Sequence, residues 1–156
     1  KDRLIPDFFR ALKAKETLQI RSPDATRPWQ HVLEPISGYL MLAEKLVDKG
    51  EDYAEAWNFG PDENNTKTVS QILEYLYKKI KGTNWSSVKE SHLHETKFLN
   101  INSSKAQSRL GWTHQWDLET ALNKTIDWYK AWLDHKDLMS ITNLQIDEYE
   151  KIIKND

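Results

Sequence analysis

Cysteine is missing from all 156 residues, which excludes disulfides and thiolate metal sites. Long apolar runs are missing as well. No stretch of about 18 such residues occurs, so no membrane-spanning helix is expected. Neither sign of charge dominates: Lys and Arg total 22 against 24 Asp and Glu, a formal charge of −2. That balance argues against broad nucleic-acid binding, which needs a clustered basic surface. No secretory signal is visible, and a cytoplasmic location is expected. Repeats and low-complexity segments are absent. No Gly-rich turn links a strand to a helix, so the dinucleotide fingerprint is missing. No proton relay is expected.

Aromatic residues, by contrast, are plentiful: seven Trp, six Tyr and four Phe. Most of these rings are expected in the core, because aromatics dominate buried area. The length suffices for one domain with its own core. The chain opens abruptly on Lys1 instead of Met and reads as a fragment or a processed product.

Periodicity sets out the elements. Ile5, Phe8, Phe9 and Leu12 recur at helical spacing, predicting a helix over about 5–15, with Pro6 in its first turn. Residues 17–21 alternate as a strand, Leu18 and Ile20 on one face, Gln19 and Arg21 on the other. A Ser22-Pro23-Asp24 turn follows, then a second short strand over 29–33. Pro35 opens a helix that Gly50 ends. Residues 56–59 read as a short buried strand. Thr68 with Gln71 forms a capping box for a helix to about Lys81. Residues 85–88 form an edge strand, and 98–101 another short one. Ser103 or Ser104 caps a brief helix ending at Gly111, and Asp117 caps a longer one. A last helix spans 142–154. Helices separated by short, scattered strands predict an α/β lobe, not a complete doubly wound sheet.

The stretch from Ile20 to Pro35 concentrates the binding chemistry. It holds Arg21, Arg27, Trp29 and His31, and no other stretch is better suited to a phosphorylated, base-bearing ligand. Guanidinium forks onto phosphate oxygens and keeps its charge. The alternative for Arg27 is an ion pair with Asp24 or Glu34. Trp29 reads as core and His31 as a buried, hydrogen-bonded histidine. His92, His94 and Glu95 lie close in sequence, but without a fourth partner nearby they make a weak metal signal.

Several motifs together carry a resemblance. In order they are 2–7 (DRLIPD), 20–24 (IRSPD), 27–35 (RPWQHVLEP), 57–61 (WNFGP), 103–106 (SSKA), 110–112 (LGW) and 128–129 (WY). They resemble the C-terminal part of the CDP-glucose 4,6-dehydratases, which are extended short-chain dehydrogenases/reductases. The resemblance implies that residues 1–156 are the smaller, sugar-nucleotide-binding lobe. The Rossmann lobe, with the NAD turn and a Tyr/Lys/Thr catalytic group, would precede Lys1. No catalytic or cofactor-binding residue is then expected in this chain, and NAD would belong to the other lobe. CDP-glucose would be the ligand, and the complete enzyme would dimerise through its Rossmann lobes.

The resemblance also assigns residues. Arg27 matches an arginine that contacts the pyrophosphate. Gln19 and Arg21 lie on the strand beside base and ribose. His92 and its neighbour His94 fall in a loop that in relatives carries a second arginine facing the diphosphate; the other reading is a plain polar loop. Thr68 falls near a substrate-contacting position, although capping alone explains it. Lys105 and Trp112 belong to a shared architectural motif. The product would be CDP-4-keto-6-deoxyglucose, a precursor of dideoxysugars in surface polysaccharide such as lipopolysaccharide O-antigen. The alternatives are a lobe of another nucleotide-sugar dehydratase or epimerase, or a free-standing binding module.

Overall fold

The computed structural model describes residues 3–62, 65–82, 84–88 and 96–154. They form six helices and four three-residue strands, a mixed α/β chain that is mostly helical. The chain divides into two compact units, Lys1–Arg27 with Lys67–Leu99, and Pro28–Thr66 with Asn100–Asp156.

In the first unit, α1 (Leu4–Ala14) buries Phe8 and Phe9 completely. Their rings meet edge to face at 5.1 Å, and Tyr77 meets Phe8 in the same way at 5.3 Å. β1 (Leu18–Ile20) buries Leu18 and Ile20 and exposes Gln19, as alternation predicts. It pairs in parallel with β4 (Trp85–Ser87), Leu18 opposite Trp85 and Ile20 opposite Ser87. α3 (Val69–Lys79) packs Ile72, Leu73 and Leu76 inward. Its capping box is complete: Thr68 Oγ1 accepts from Gln71 N, and Gln71 Oε1 accepts from Thr68 N. The backbone N–H groups of Val69 and Ser70 donate to Ala25 O and Pro23 O, which ties the helix start to the Ser22–Ala25 turn.

The second unit is built on α2 (Leu33–Tyr53), α4 (Ser104–Leu110), α5 (Leu118–Leu133) and α6 (Leu138–Ile153). Phe59, Ala106, Leu110 and Trp112 form one buried cluster. Gly38 allows it: a Cβ there would sit 2.3 Å from the Phe59 ring. Gly111 caps α4 at φ 71, a conformation glycine adopts without steric cost. Asp117 Oδ1 accepts from Thr120 N and starts α5. α5 and α6 are joined by Trp128 Nε1 donating to Thr142 Oγ1 and by Gln145 Nε2 donating to Lys124 O. β2 (Thr26–Pro28) and β3 (Thr66–Thr68) carry the points where the chain passes from one unit to the other.

Several expectations need correction. The second strand is Thr26–Pro28, not 29–33. His31 Nδ1 accepts from Leu33 N, and Val32 O accepts from Ile36 N, so the backbone has already turned into helix. Pro35 is therefore the third helical residue, where a missing N–H costs nothing. Gly50 does not end α2 as a left-handed cap; the break falls at Lys49, at φ −143 and ψ 49. Residues 56–59 carry no ladder, and 98–101 reduce to a single bridge, Thr26 to Phe98. The last helix begins at Leu138, because Asp137 Oδ1 accepts from Met139 N and caps it four residues early. Trp29 is only half-buried and does not belong to the core.

Candidate functional site

The first unit holds an open cavity of about 120 Å³ at the exposed edge of β1. Arg3, Asp7, Gln19, Arg21 and Ser22 line it with polar groups, and Leu4, Leu18, Ile20 and Val69 with apolar ones. Strand alternation places Gln19 on the outer face, and Ser86 Oγ donates to its Oε1 at 2.9 Å. Arg21 follows where the strand ends. Arg3 stands at the N-cap of α1, its backbone N–H donating to Asp7 Oδ2 at 2.8 Å. Partial burial of Asp7 opposes ionisation. Its hydrogen bonds from the Arg10 guanidinium and the Arg3 N–H outweigh that and hold the carboxyl below the usual range. The Asp7 charge is thus answered locally, and Arg3 and Arg21 each bring a guanidinium-bearing side chain to the lining. A cavity lined by both apolar and polar side chains suits a planar ring bearing hydrogen-bonding edges. The volume fits one part of a nucleotide, not a complete sugar nucleotide, which needs roughly 300 Å³ or more.

The structure brings together two of the expected residues, Gln19 and Arg21, and adds Arg3, to which the sequence reading assigned no role. The available signal was its position just ahead of the first helix. Arg27 does not line this cavity. Its Nη1 donates to Thr26 O and to Thr96 O, both at 2.9 Å. Thr68 acts as the cap of α3. His92 and His94 lie outside the described residues. Among the described residues no group of three His, Cys, Asp or Glu side chains could hold a metal ion.

Two Tyr-x-x-x-Lys spacings escaped the sequence reading, Tyr75 with Lys79 and Tyr77 with Lys81. In α3, Lys79 Nζ sits 5.3 Å from the centroid of the Tyr75 ring, a cation–π contact on the helix surface. Lys81 lies beyond the helix, after Ile80 turns extended. Neither spacing lies in the cavity. No described strand passes through a Gly-rich turn into a helix: β1 runs into Ser22-Pro23-Asp24, and β3 runs straight into α3.

Several buried polar groups of the second unit are spent internally. Glu34 is fully buried. Its Oε1 accepts from Trp116 N at 2.8 Å, and its Oε2 accepts from Gln115 N at 3.0 Å and from Tyr149 OH at 2.6 Å. Burial first, and then the bond to Glu34, raises the Tyr149 phenol well above its ordinary range. His31 is buried against the edge of the Trp116 ring at 4.9 Å. Burial, helped by the Lys124 charge, lowers its pKa to about 4, so the ring is neutral and Nδ1 can accept. The expectation of a buried, hydrogen-bonded histidine holds. Lys105 Nζ lies 4.5 Å from the Trp57 ring centroid and pairs with Glu55. Trp112 Nε1 donates to Glu34 O and Ser37 Oγ. A cavity of about 200 Å³ beside α4 is polar, but its side chains are bonded to nearby backbone: Asn102 Oδ1 accepts from Ser104 N, and Ser103 Oγ joins both polar groups of Gly60.

No family model matches the chain. CDP-glucose 4,6-dehydratase of Salmonella typhimurium is 39% identical over 151 residues, 96% of this chain. The chain spans only 42% of that relative's length. The resemblance read from the motifs therefore extends over nearly all of these residues. UDP-glucuronic acid 4-epimerase of Bacillus cereus, solved with UDP-glucuronic acid and NAD, matches 83% of the chain and 40% of its own, at 22% identity and TM-score 0.69. dTDP-glucose 4,6-dehydratase of Bacillus anthracis, solved with NAD, matches 83% of the chain and 39% of its own, at 19% identity and TM-score 0.60. The chain thus has the fold of the corresponding part of these enzymes. Among the described residues no helix is long and apolar enough to cross a membrane.

Proposed function

We propose that residues 1–156 are the substrate-binding lobe of an NAD-dependent CDP-glucose 4,6-dehydratase, a cytoplasmic lyase that makes CDP-4-keto-6-deoxyglucose. The observation that carries the reading is the 39% identity to a CDP-glucose 4,6-dehydratase across 96% of the chain. The cavity chemistry agrees with it. Gln19 presents an amide, and Arg3 and Arg21 present guanidiniums, around a space the size of a base or ribose. Arg27, anchored through Nη1 on two carbonyls, is a pre-oriented cation for the diphosphate. His92 and His94 are assigned to the same ligand, and Thr68 serves first as a helix cap. The lobe's task is to use nucleotide binding to hold the glucose in place for reaction. The hydride chemistry that NAD supplies belongs to residues outside these 156, in a Rossmann lobe that also forms the homodimer. Alone, the lobe binds and does not catalyse.

Calorimetric titration tests this reading. CDP-glucose and CDP should bind the 156-residue chain, and UDP-glucose at least tenfold more weakly. Equal or tighter binding of UDP-glucose would move the assignment to another nucleotide-sugar epimerase or dehydratase, a reading favoured by the fold match to the UDP-glucuronic acid enzyme. No binding by any of the three would return the chain to a free-standing module of other purpose.

A further inference from the structure

The cavity of about 200 Å³ beside α4 lies between two stretches of the second unit, 60–62 and 100–107. Gly60 lets them meet: a Cβ there would sit 2.5 Å from Ile101 Cβ. The buried Ser103 then clamps them. Its Oγ accepts from Gly60 N at 2.6 Å and donates to Gly60 O at 3.1 Å. The walls are therefore set before any ligand arrives, which lowers the cost of binding.

Asp62, Asn100, Asn102, Ser104 and Gln107 line the cavity and are exposed. The bonds to nearby backbone use only part of each carboxamide. Asn100 Oδ1 accepts from Ile101 N at 2.8 Å, and Asn102 Oδ1 accepts from Ser104 N at 2.9 Å. Both amides are thereby oriented, and their NH₂ donors stay unspent among the described residues. The Gln107 carboxamide and the Ser104 hydroxyl make no hydrogen bond among them either. Asp62 supplies a carboxylate, with Oδ2 3.4 Å from His114 Nδ1.

This set rejects most ligand classes. No Lys or Arg is in the described lining, and the neighbouring Lys105 is spent on Glu55 and Ala56 O, so a phosphate would meet only a negative charge. No aromatic ring is there to stack a base. Only Pro61 and Ile101 are apolar, too little surface to hold a lipid. One carboxylate is too few for a hard cation. A neutral ring with adjacent hydroxyls meets every requirement, donating to Asp62 and accepting from the amides. The volume is below the roughly 300 Å³ of a site for a drug-sized molecule, which limits the ligand to one ring. We propose that this cavity binds a single neutral sugar, with Asp62 as acceptor and Asn100, Asn102 and Gln107 as donors. It shares no lining residue with the cavity at β1, so sugar binding here requires no nucleotide.

The side-chain amide signals of the isotope-labelled 156-residue chain read the site directly. Glucose should shift the NH₂ resonances of Asn100, Asn102 and Gln107 saturably, with half-saturation at about 1 mM, the affinity expected of so few atoms. Gln107→Ala should weaken binding roughly tenfold and leave the urea midpoint unchanged, because the side chain has no internal bond to lose. Asp62→Asn, which keeps the shape and removes the charged acceptor, should weaken it by a similar factor. No saturation by glucose up to about 50 mM would overturn the proposal. So would an equal response to glycerol, which would mean contact with any polyol. CDP should leave these resonances in place; a shift with CDP, or with CDP-glucose but not glucose, would assign the cavity to the nucleotide sugar and overturn a separate sugar site.

Discussion

The two units treat their polar groups in opposite ways. In the first, the strand β1 turns Gln19 outward and leaves Arg3 and Arg21 around an open cavity. In the second, Glu34 and His31 are sealed into the interior, and the carboxylate is answered by two backbone N–H groups and a phenol. Three donors converge on the buried Glu34 side chain, so Glu34 is a fastening for the 112–116 loop and α6. The Arg3 and Arg21 guanidiniums belong to exposed residues that line the open cavity. The comparison separates groups whose loss should cost stability from groups whose loss should cost binding.

The largest effect is expected at Glu34. Glu34→Ala strands two backbone donors and the Tyr149 hydroxyl, and should destabilise the second unit by about 3–5 kcal/mol. Urea denaturation measures it; a loss below about 1 kcal/mol would mean that the site is wetter than described.

Next comes His31. Its folded pKa, about 4, lies below the unfolded value near 6.5, so between these limits the unfolded chain binds more protons. Its contribution is complete above about pH 6.5 and is lost as the pH falls toward 4, by up to about 3 kcal/mol. His31→Gln should flatten the urea midpoint across that window. A midpoint in the parent chain that does not move between pH 6.5 and 4.5 would refute the assignment.

A smaller and different effect is expected at the cavity. Arg21→Ala should weaken CDP binding about tenfold, or about 1.4 kcal/mol, with little change in the urea midpoint. If stability falls and affinity does not, Arg21 belongs with the internal groups and the contrast between the units fails. Smallest is Thr68→Ala, which removes the α3 cap and should cost about 1 kcal/mol. Thr68→Ser should restore stability. A loss of CDP affinity in a stable Thr68→Ser protein would instead place the threonine methyl against the ligand.

Local chemistry was easy to read before any coordinates. The Thr68–Gln71 box, the Asp117 cap and the Gly111 stop depend on residues within one turn of one another, and each forms as expected. So does the alternation of Leu18, Gln19 and Ile20. The misses share a cause. Residues 56–59 and 98–101 have strand composition, but a ladder needs a partner that composition does not name. His31 looked like a strand residue until its ring accepted the Leu33 N–H and began a helix. Arg3 reached the cavity through the packing of α1 beside β1, which no local pattern records.

Residue order alone settled that the helices exist, the caps at Thr68, Asp117 and Gly111, and the motif run from Arg27 to Pro35, because capping and periodicity are short-range and each residue carries its own preference. Three-dimensional packing decided which polar groups are buried and which line a cavity. Desolvation and hydrogen bonding at Glu34, His31, Gln19 and Arg21 depend on neighbours as many as 115 positions away, and only the folded chain brings those together.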